Sequence, residues 1–245
     1  MIRRHMILFL IAAATASAQF PAPPQDGDTG KEPTKEAKVE KLEGTLYRIR
    51  DITFDSKTRE IRFPAAINMT QDLLEFIIVH QNGKVHESLL KTSISATDLN
   101  VAFNLLRYKA SPELYVEPTS PDDPAVKFPA VDEDLKKASR IHIEVEWQDG
   151  DKLRRVPINE WVQHAVTGRT MPSGPWVYGG SEISGGRFQA EATGDIAAIY
   201  LSRSALINYP GKDNTDDTVW FVYPKRVPPI DSPVTVIITP FPGKP

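Results

Sequence analysis

Residues 73–90 read LLEFIIVHQNGKVHESLL, two apolar runs on either side of one polar step, and their reading decides the fold. Leu74, Phe76, Ile78 and His80 alternate up to Asn82 and Gly83. Such alternation marks a half-buried strand. Asn-Gly is the strongest short hairpin signal, because both turn residues must tolerate positive φ. The expected register pairs His80 with Val85, Val79 with His86, Ile78 with Glu87 and Phe76 with Leu89. Glu87 then shares a face with Phe76, Ile78, Val85 and Leu89, while His86 and Ser88 point to the other face.

A carboxylate on an apolar face requires a partner, because burying it unpaired costs several kcal/mol or forces protonation. An Arg, a set of hydrogen bonds, a metal or a substrate would each serve. A structural ion pair and a binding or catalytic role for Glu87 both remain open on this reading. A local triad of His86, Glu87 and Ser88 does not: adjacent strand residues project to opposite faces, so Glu87 cannot orient His86. No G-x-S-x-G elbow makes Ser88 a nucleophile.

Outward from this stretch the chain is mostly strand. Ile52 and Phe54, then Ile61 and Phe63, alternate around Asp55, Ser56, Lys57 and Thr58, a hairpin pattern. Residues 140–148 are the cleanest strand, with Ile141, Ile143, Val145 and Trp147 on one face and His142, Glu144 and Glu146 on the other. Asp149 and Gly150 then turn the chain, and residues 187–192, 196–201, 219–223 and 234–239 are further strand candidates. One helix is expected over about residues 97–107: Leu99, Ala102, Phe103 and Leu106 form one apolar stripe, Ser95 can cap it with Asp98 three residues on, and Arg107 suits its C-terminal end. The class predicted is α+β, strand-rich, with a mainly antiparallel sheet, many short hairpins and this one well-defined amphipathic helix.

The N-terminal end reads as an address. Arg3 and Arg4 precede an apolar run over residues 6–14, and Ala16, Ser17 and Ala18 follow, which is the build of a secretory signal peptide. The run is about half the ~20 residues that a bilayer span needs. Residues 19–41, rich in Pro, Gly and charge, read as a disordered linker, and residues 42–245 as a single domain. The expected location is therefore outside the cytoplasm, periplasmic or extracellular, with no stable membrane insertion after cleavage.

Composition narrows the chemistry. The 245 residues include no Cys, which removes disulfides, cysteine nucleophiles and thiolate metal or cluster sites. A net charge of -3 gives no electrostatic reason to expect a nucleic acid. No His stands at zincin spacing from another, so no metal site is expected. Asp213, Asn214, Thr215, Asp216 and Asp217 lack the Gly and terminal Glu of an EF-hand loop and read as a solvated turn. Gly179, Gly180, Gly185 and Gly186 flank Ser181 with no helix pattern after them to hold a phosphate, so a mobile hairpin or a close backbone approach is expected there.

The chain also resembles a known family. Ile52, Thr53, Phe54 and Asp55, the stretch REIRFPAAINM over residues 59–69, then residues 73–90 and the helix through Leu106 look like the YdjY-type domain of bacterial exported proteins. Residues 83–89, GKVHESL, are the most characteristic part. A second match runs from Trp176, Val177, Tyr178, Gly179, Gly180 and Ser181 through Ala205, Leu206 and Ile207 to Thr218, Val219 and Trp220. The resemblance implies export and covers about residues 47–239. Some members are described as ferredoxin-like with a cysteine-bound iron–sulfur cluster, and a chain without Cys departs from them there.

Two functions follow as expectations. The first is a non-catalytic binding module of the cell envelope, with an envelope protein or peptide as partner and no cofactor, its candidate binding residues being Lys84, His86, Glu87, Ser88 and Ser181. The second is a hydrolase using Glu87 or His86 as acid or base, with partners from distant segments such as residues 179–181 or 216–217. The second requires those segments to converge on one concave pocket.

Overall fold

The structure is a computed structural model that describes residues 38–117 and 127–241. The expected signal peptide and residues 19–37 of the linker lie outside the described residues. Pairing begins within the stretch read as linker: β1 (Val39–Lys41) joins β2 (Leu46–Ile49), and β3 (Ile52–Asp55) and β4 (Ile61–Ile67) extend the antiparallel meander. The hairpin expected around residues 55–58 is present, with Asp55 Oδ1 accepting from the Lys57 and Thr58 amides.

Then follow β5 (Phe76–His80), β6 (Ser88–Thr92), α1 (Ala96–Leu105), α2 (Glu133–Ala138), β7 (Arg140–Asp149), β8 (Lys152–Pro157), β9 (Val162–His164) and β10 (Trp176–Tyr178). The chain closes with β11 (Ile183–Ser184), β12 (Arg187–Phe188), α3 (Gln189–Thr193), β13 (Asp195–Ala198), β14 (Ile207–Asn208), β15 (Trp220–Val222) and β16 (Pro233–Pro240).

The expected α+β fold with a mainly antiparallel open sheet is overturned. The order β4-β16-β7-β10-β14-β13-β5-β6 returns to β4 through a β4–β6 pairing, so eight strands close into a barrel. Two of its pairings, β5 with β6 and β13 with β14, are parallel. Helices are few and short, and 187–192, read as strand, becomes β12 running into α3. Closure satisfies the backbone groups that an open sheet leaves at its edges.

The clearest alternations do build the wall. Phe63, Val236 and Val145 lie opposite one another across β4, β16 and β7, as do Ile61, Ile238 and Ile143, and all six are buried in the main core. α1 docks its apolar stripe against this core, with Phe103 stacked on Tyr178 at 4.2 Å between ring centroids. Its cap is as expected: the Asp98 amide donates to Ser95 Oγ at 3.1 Å.

The hairpin expected at Asn82 and Gly83 is a different structure. β5 and β6 run parallel, Phe76 opposite Ser88 and Ile78 opposite Leu90. After His80 the chain turns back, makes a 3-10 turn at Val85–Glu87 and enters β6 beside the start of β5. There the Glu75 amide donates to the Glu87 carbonyl, and Asn68 Nδ2 donates to the carbonyls of Val85 and Ser88. Gly83 has no positive φ; a Cβ on it would stand 2.9 Å from the Thr193 carbonyl oxygen, so the glycine serves a close backbone approach. The physical reason lies in β5 itself. Phe76, Ile77, Ile78 and Val79 are all buried, Ile77 and Ile78 in the main core and Phe76 and Val79 in a second small cluster with Ala198 and Ala205. A strand buried on both faces suits a parallel pairing.

Candidate functional site

Four segments meet at the mouth where β5 begins. Leu73 bridges to Phe221, the Leu74 amide donates to the Trp220 carbonyl, and the Val222 amide donates to the Asp72 carbonyl, so residues 72–74 run along β15. The amides of Ile199 and Tyr200 both donate to the Glu75 carbonyl, and with the Glu87 carbonyl on its own amide this fixes Glu75 beside the 3-10 turn. Asp72 holds φ of 90°, a conformation that L residues seldom adopt.

The cleft so formed, about 450 Å³, is lined by Asp72, Leu73, Glu75, His86, Glu87, Asp217, Thr218 and Phe221. It sets four carboxylates and one imidazole against two apolar side chains. The Glu75 carboxyl is raised above the ordinary range, first by burial and then by the negative charges of Glu87 and Asp217; Lys84 opposes the shift. His86 Nε2 lies 3.6 Å from Glu87 Oε2, with the imidazole 77% exposed and the Glu87 side chain 21% exposed. A carboxyl raised in this way holds its proton more tightly than a free one and can exchange it for an arriving cation.

The residues singled out from sequence scatter differently from the hairpin register. His86 and Glu87 reach the cleft, and Asp217 joins them from a distant segment. Glu87 is not on the inner apolar face, and no Arg pairs with it among the described residues. Lys84 stands outside the cleft, its ammonium 4.5 Å from the Phe76 ring centroid and 3.7 Å from Asp195 Oδ2. Ser88 is buried in β6, its hydroxyl donating to the Leu90 carbonyl. Ser181 ties loops together, donating to the Ser204 carbonyl and accepting from the Ala190 amide, away from the cleft. Sequence reasoning missed Asp72, Leu73, Glu75 and Phe221. For Glu75 a signal existed: it interrupts an apolar run and shares a strand face with Ile77 and Val79.

With this geometry in view, the comparisons take their place. The YdjY domain family matches residues 52–239, from the first residue of β3 to within one residue of the end of β16. The chain belongs to the YdjY domain family. The match covers the whole barrel, α1 and the acidic cleft of this YdjY domain, and leaves β1 and β2 outside it. No curated protein and no solved structure matches the chain. No group of three or more His, Asp or Glu suited to a metal ion occurs among the described residues. No helix among them is long and apolar enough to cross a membrane.

Proposed function

We propose that the protein is an exported binding module whose acidic cleft receives a cationic side chain of an envelope protein or peptide. One observation carries this reading: Asp72, Glu75, Glu87 and Asp217 converge on a cleft walled by Leu73 and Phe221. Carboxylates suit the head of a Lys or Arg, and the apolar walls suit its methylene stem. Burial first, and then the like charges of Glu87 and Asp217, hold the Glu75 carboxyl up. An arriving cation opposes that shift and displaces the Glu75 proton, so affinity rises with pH through the Glu75 titration. Export is supported by Arg3 and Arg4, the apolar run after them and Ala16-Ser17-Ala18.

Calorimetric titration with short Lys- and Arg-containing peptides tests this, run in buffers of different ionisation enthalpy. The expected result is binding with proton release, weakened about tenfold by Glu75→Gln or Glu87→Gln. Equal affinity for the same peptides with neutralised side chains would overturn it.

The placement of Glu75, His86 and Glu87 in one cleft favours a second reading, a hydrolase in which Glu75, its carboxyl raised, is the acid and Glu87 or His86 the base. Turnover of an ester, peptide or glycoside substrate that Glu87→Gln abolishes, with the fold intact, would establish it over the first.

A further inference from the structure

The two ends of the barrel differ in charge. β5 starts at the acidic cleft and runs beside β6 to His80, and α1 follows β6 at that second end. α1 therefore lies at the end away from the cleft. Its last turn is closed by the Arg107 and Tyr108 amides, which donate to the Asn104 and Phe103 carbonyls. Arg59 Nε donates to the Leu106 carbonyl at 2.9 Å, which brings the β3–β4 turn, with Lys57 on it, beside this end of the helix.

The inner side of α1 packs on the core, and its outer side has no cover. Val101 and Leu105, one helical turn apart on that side, are 39% and 52% exposed. Arg107 and Lys109 follow at once and are exposed, as is Lys57. None of these three cations forms an ion pair among the described residues. The carboxylates of the neighbouring turn are engaged: Asp55 Oδ1 accepts from the Lys57 and Thr58 amides, and Glu60 pairs with Arg62 at 3.3 Å. Arg107 is the anomaly. It holds φ of 59° just past the helix, where glycine is usual because an L side chain is strained there. The helix dipole accounts for one cation at this end, and three converge on it.

An apolar stripe on the convex side of a helix, bordered by unpaired cations, fits a lipid–water interface. The stripe enters the acyl boundary, and the cations meet headgroup phosphates. We propose that this end of the barrel docks reversibly on a bilayer of anionic phospholipid, with Val101 and Leu105 in the interface and Lys57, Arg107 and Lys109 on the headgroups. A neutral bilayer leaves the cations without partners, and an acidic protein leaves the stripe without an acyl layer. The acidic cleft, at the other end of the barrel, opens away from such a membrane. This docking stands independently of the function proposed for the cleft.

Vesicle co-sedimentation tests this on the chain from Gln19, which keeps the whole compact unit of residues 37–245 and lacks the apolar run of residues 6–14 that would itself enter lipid. Mixed phosphatidylglycerol and phosphatidylcholine vesicles are compared with pure phosphatidylcholine, and polyglutamate serves as a soluble anionic probe. The mixed vesicles are expected to bind at least about tenfold more tightly, and the binding to fade at ~0.5 M salt. Leu105→Glu and Arg107→Gly should each weaken it about five- to tenfold, and Glu75→Gln not at all. Glycine suits the backbone at 107, so Arg107→Gly keeps the fold, and its denaturant midpoint should equal or exceed the parent's. Equal binding to both vesicles, binding to neither, or binding unchanged by both variants overturns the proposal. Polyglutamate binding as tight as vesicle binding and indifferent to Leu105→Glu would also overturn it, and would assign this surface to an acidic protein.

Discussion

On the outer wall of the barrel, across β4, β16, β7 and β8, Arg62 pairs with Glu60 and Glu146, and Arg155 pairs with Glu144 at 2.6 Å and reaches Glu60 at 4.0 Å. At the mouth beside β5 and β15, Asp72, Glu75, Glu87 and Asp217 share a cleft with no arginine among its lining residues. The residue types are the same; their placement is opposite. On the wall, strand register sets each cation against anions, and the charges roof Ile237, whose neighbours across the sheet are Arg62 and Glu144 and which is fully buried. In the cleft, three segments, residues 72–75, 86–87 and 217–221, bring like charges together. Charge on the wall serves the fold, and charge in the cleft opposes it, which is what a site for a positively charged partner requires.

The largest effect is expected on the wall. Ile237→Ala should cost about 2–5 kcal/mol in denaturant unfolding, because it empties the space beneath the charged roof. A cost near zero would mean the roof covers nothing. Arg62→Ala should cost ~1 kcal/mol and should cost less at high salt, since its guanidinium is one-third exposed and its pairs are partly screened.

The cleft should respond with the opposite sign. Glu75 is raised in the folded state, so the fold holds its proton more tightly than the unfolded chain does. Its contribution is therefore full below the ordinary Glu range and is lost as pH rises through the folded value. Glu75→Gln should stabilise the protein at neutral pH by less than ~1 kcal/mol, with the difference fading on acidification. Glu87→Gln, which a buried ion pair would make costly at about 3–5 kcal/mol, should instead stay within ~0.5 kcal/mol of the parent. A large loss in either variant would break the contrast between wall and cleft.

The smallest effect is on His142, on the wall beside Glu144 and 4.6 Å from the Phe241 ring. Burial lowers its imidazole more than the Glu144 charge raises it. Its neutral form is favoured on folding, so its contribution is present above the ordinary His range and is lost as pH falls through the depressed value. An NMR titration should place His142 below free imidazole. A value above it would mean that the wall carboxylate outweighs burial.

The separate parts of the molecule were legible to different degrees. Alternation at Ile52 and Phe54, at Ile61 and Phe63 and over residues 140–148 identified strands, because buried residues alternate there with less buried ones. The Ser95 cap and the stripe of Leu99, Ala102, Phe103 and Leu106 identified α1 from local geometry alone. Glu87 stood out as an out-of-place carboxylate, and it does face its cleft, by a route other than the predicted register. Glu75 escaped notice because the alternation of Leu74, Phe76 and Ile78 drew the reading to the other face of the strand.

What the sequence determined by itself was therefore local: strand and helix segments, caps, the absence of thiol chemistry and the family signature in residues 83–89. What tertiary structure decided was which strands pair and in which direction. A period of two reports that a face is buried, and it carries no information about the partner or its polarity. The run of Phe76, Ile77, Ile78 and Val79, buried on both faces, turned a hairpin signal into a parallel pair, and the β4–β6 pairing turned a sheet into a barrel. The cleft exists only because the fold brings Asp217, distant in the chain, to the same mouth as Asp72, Glu75 and Glu87.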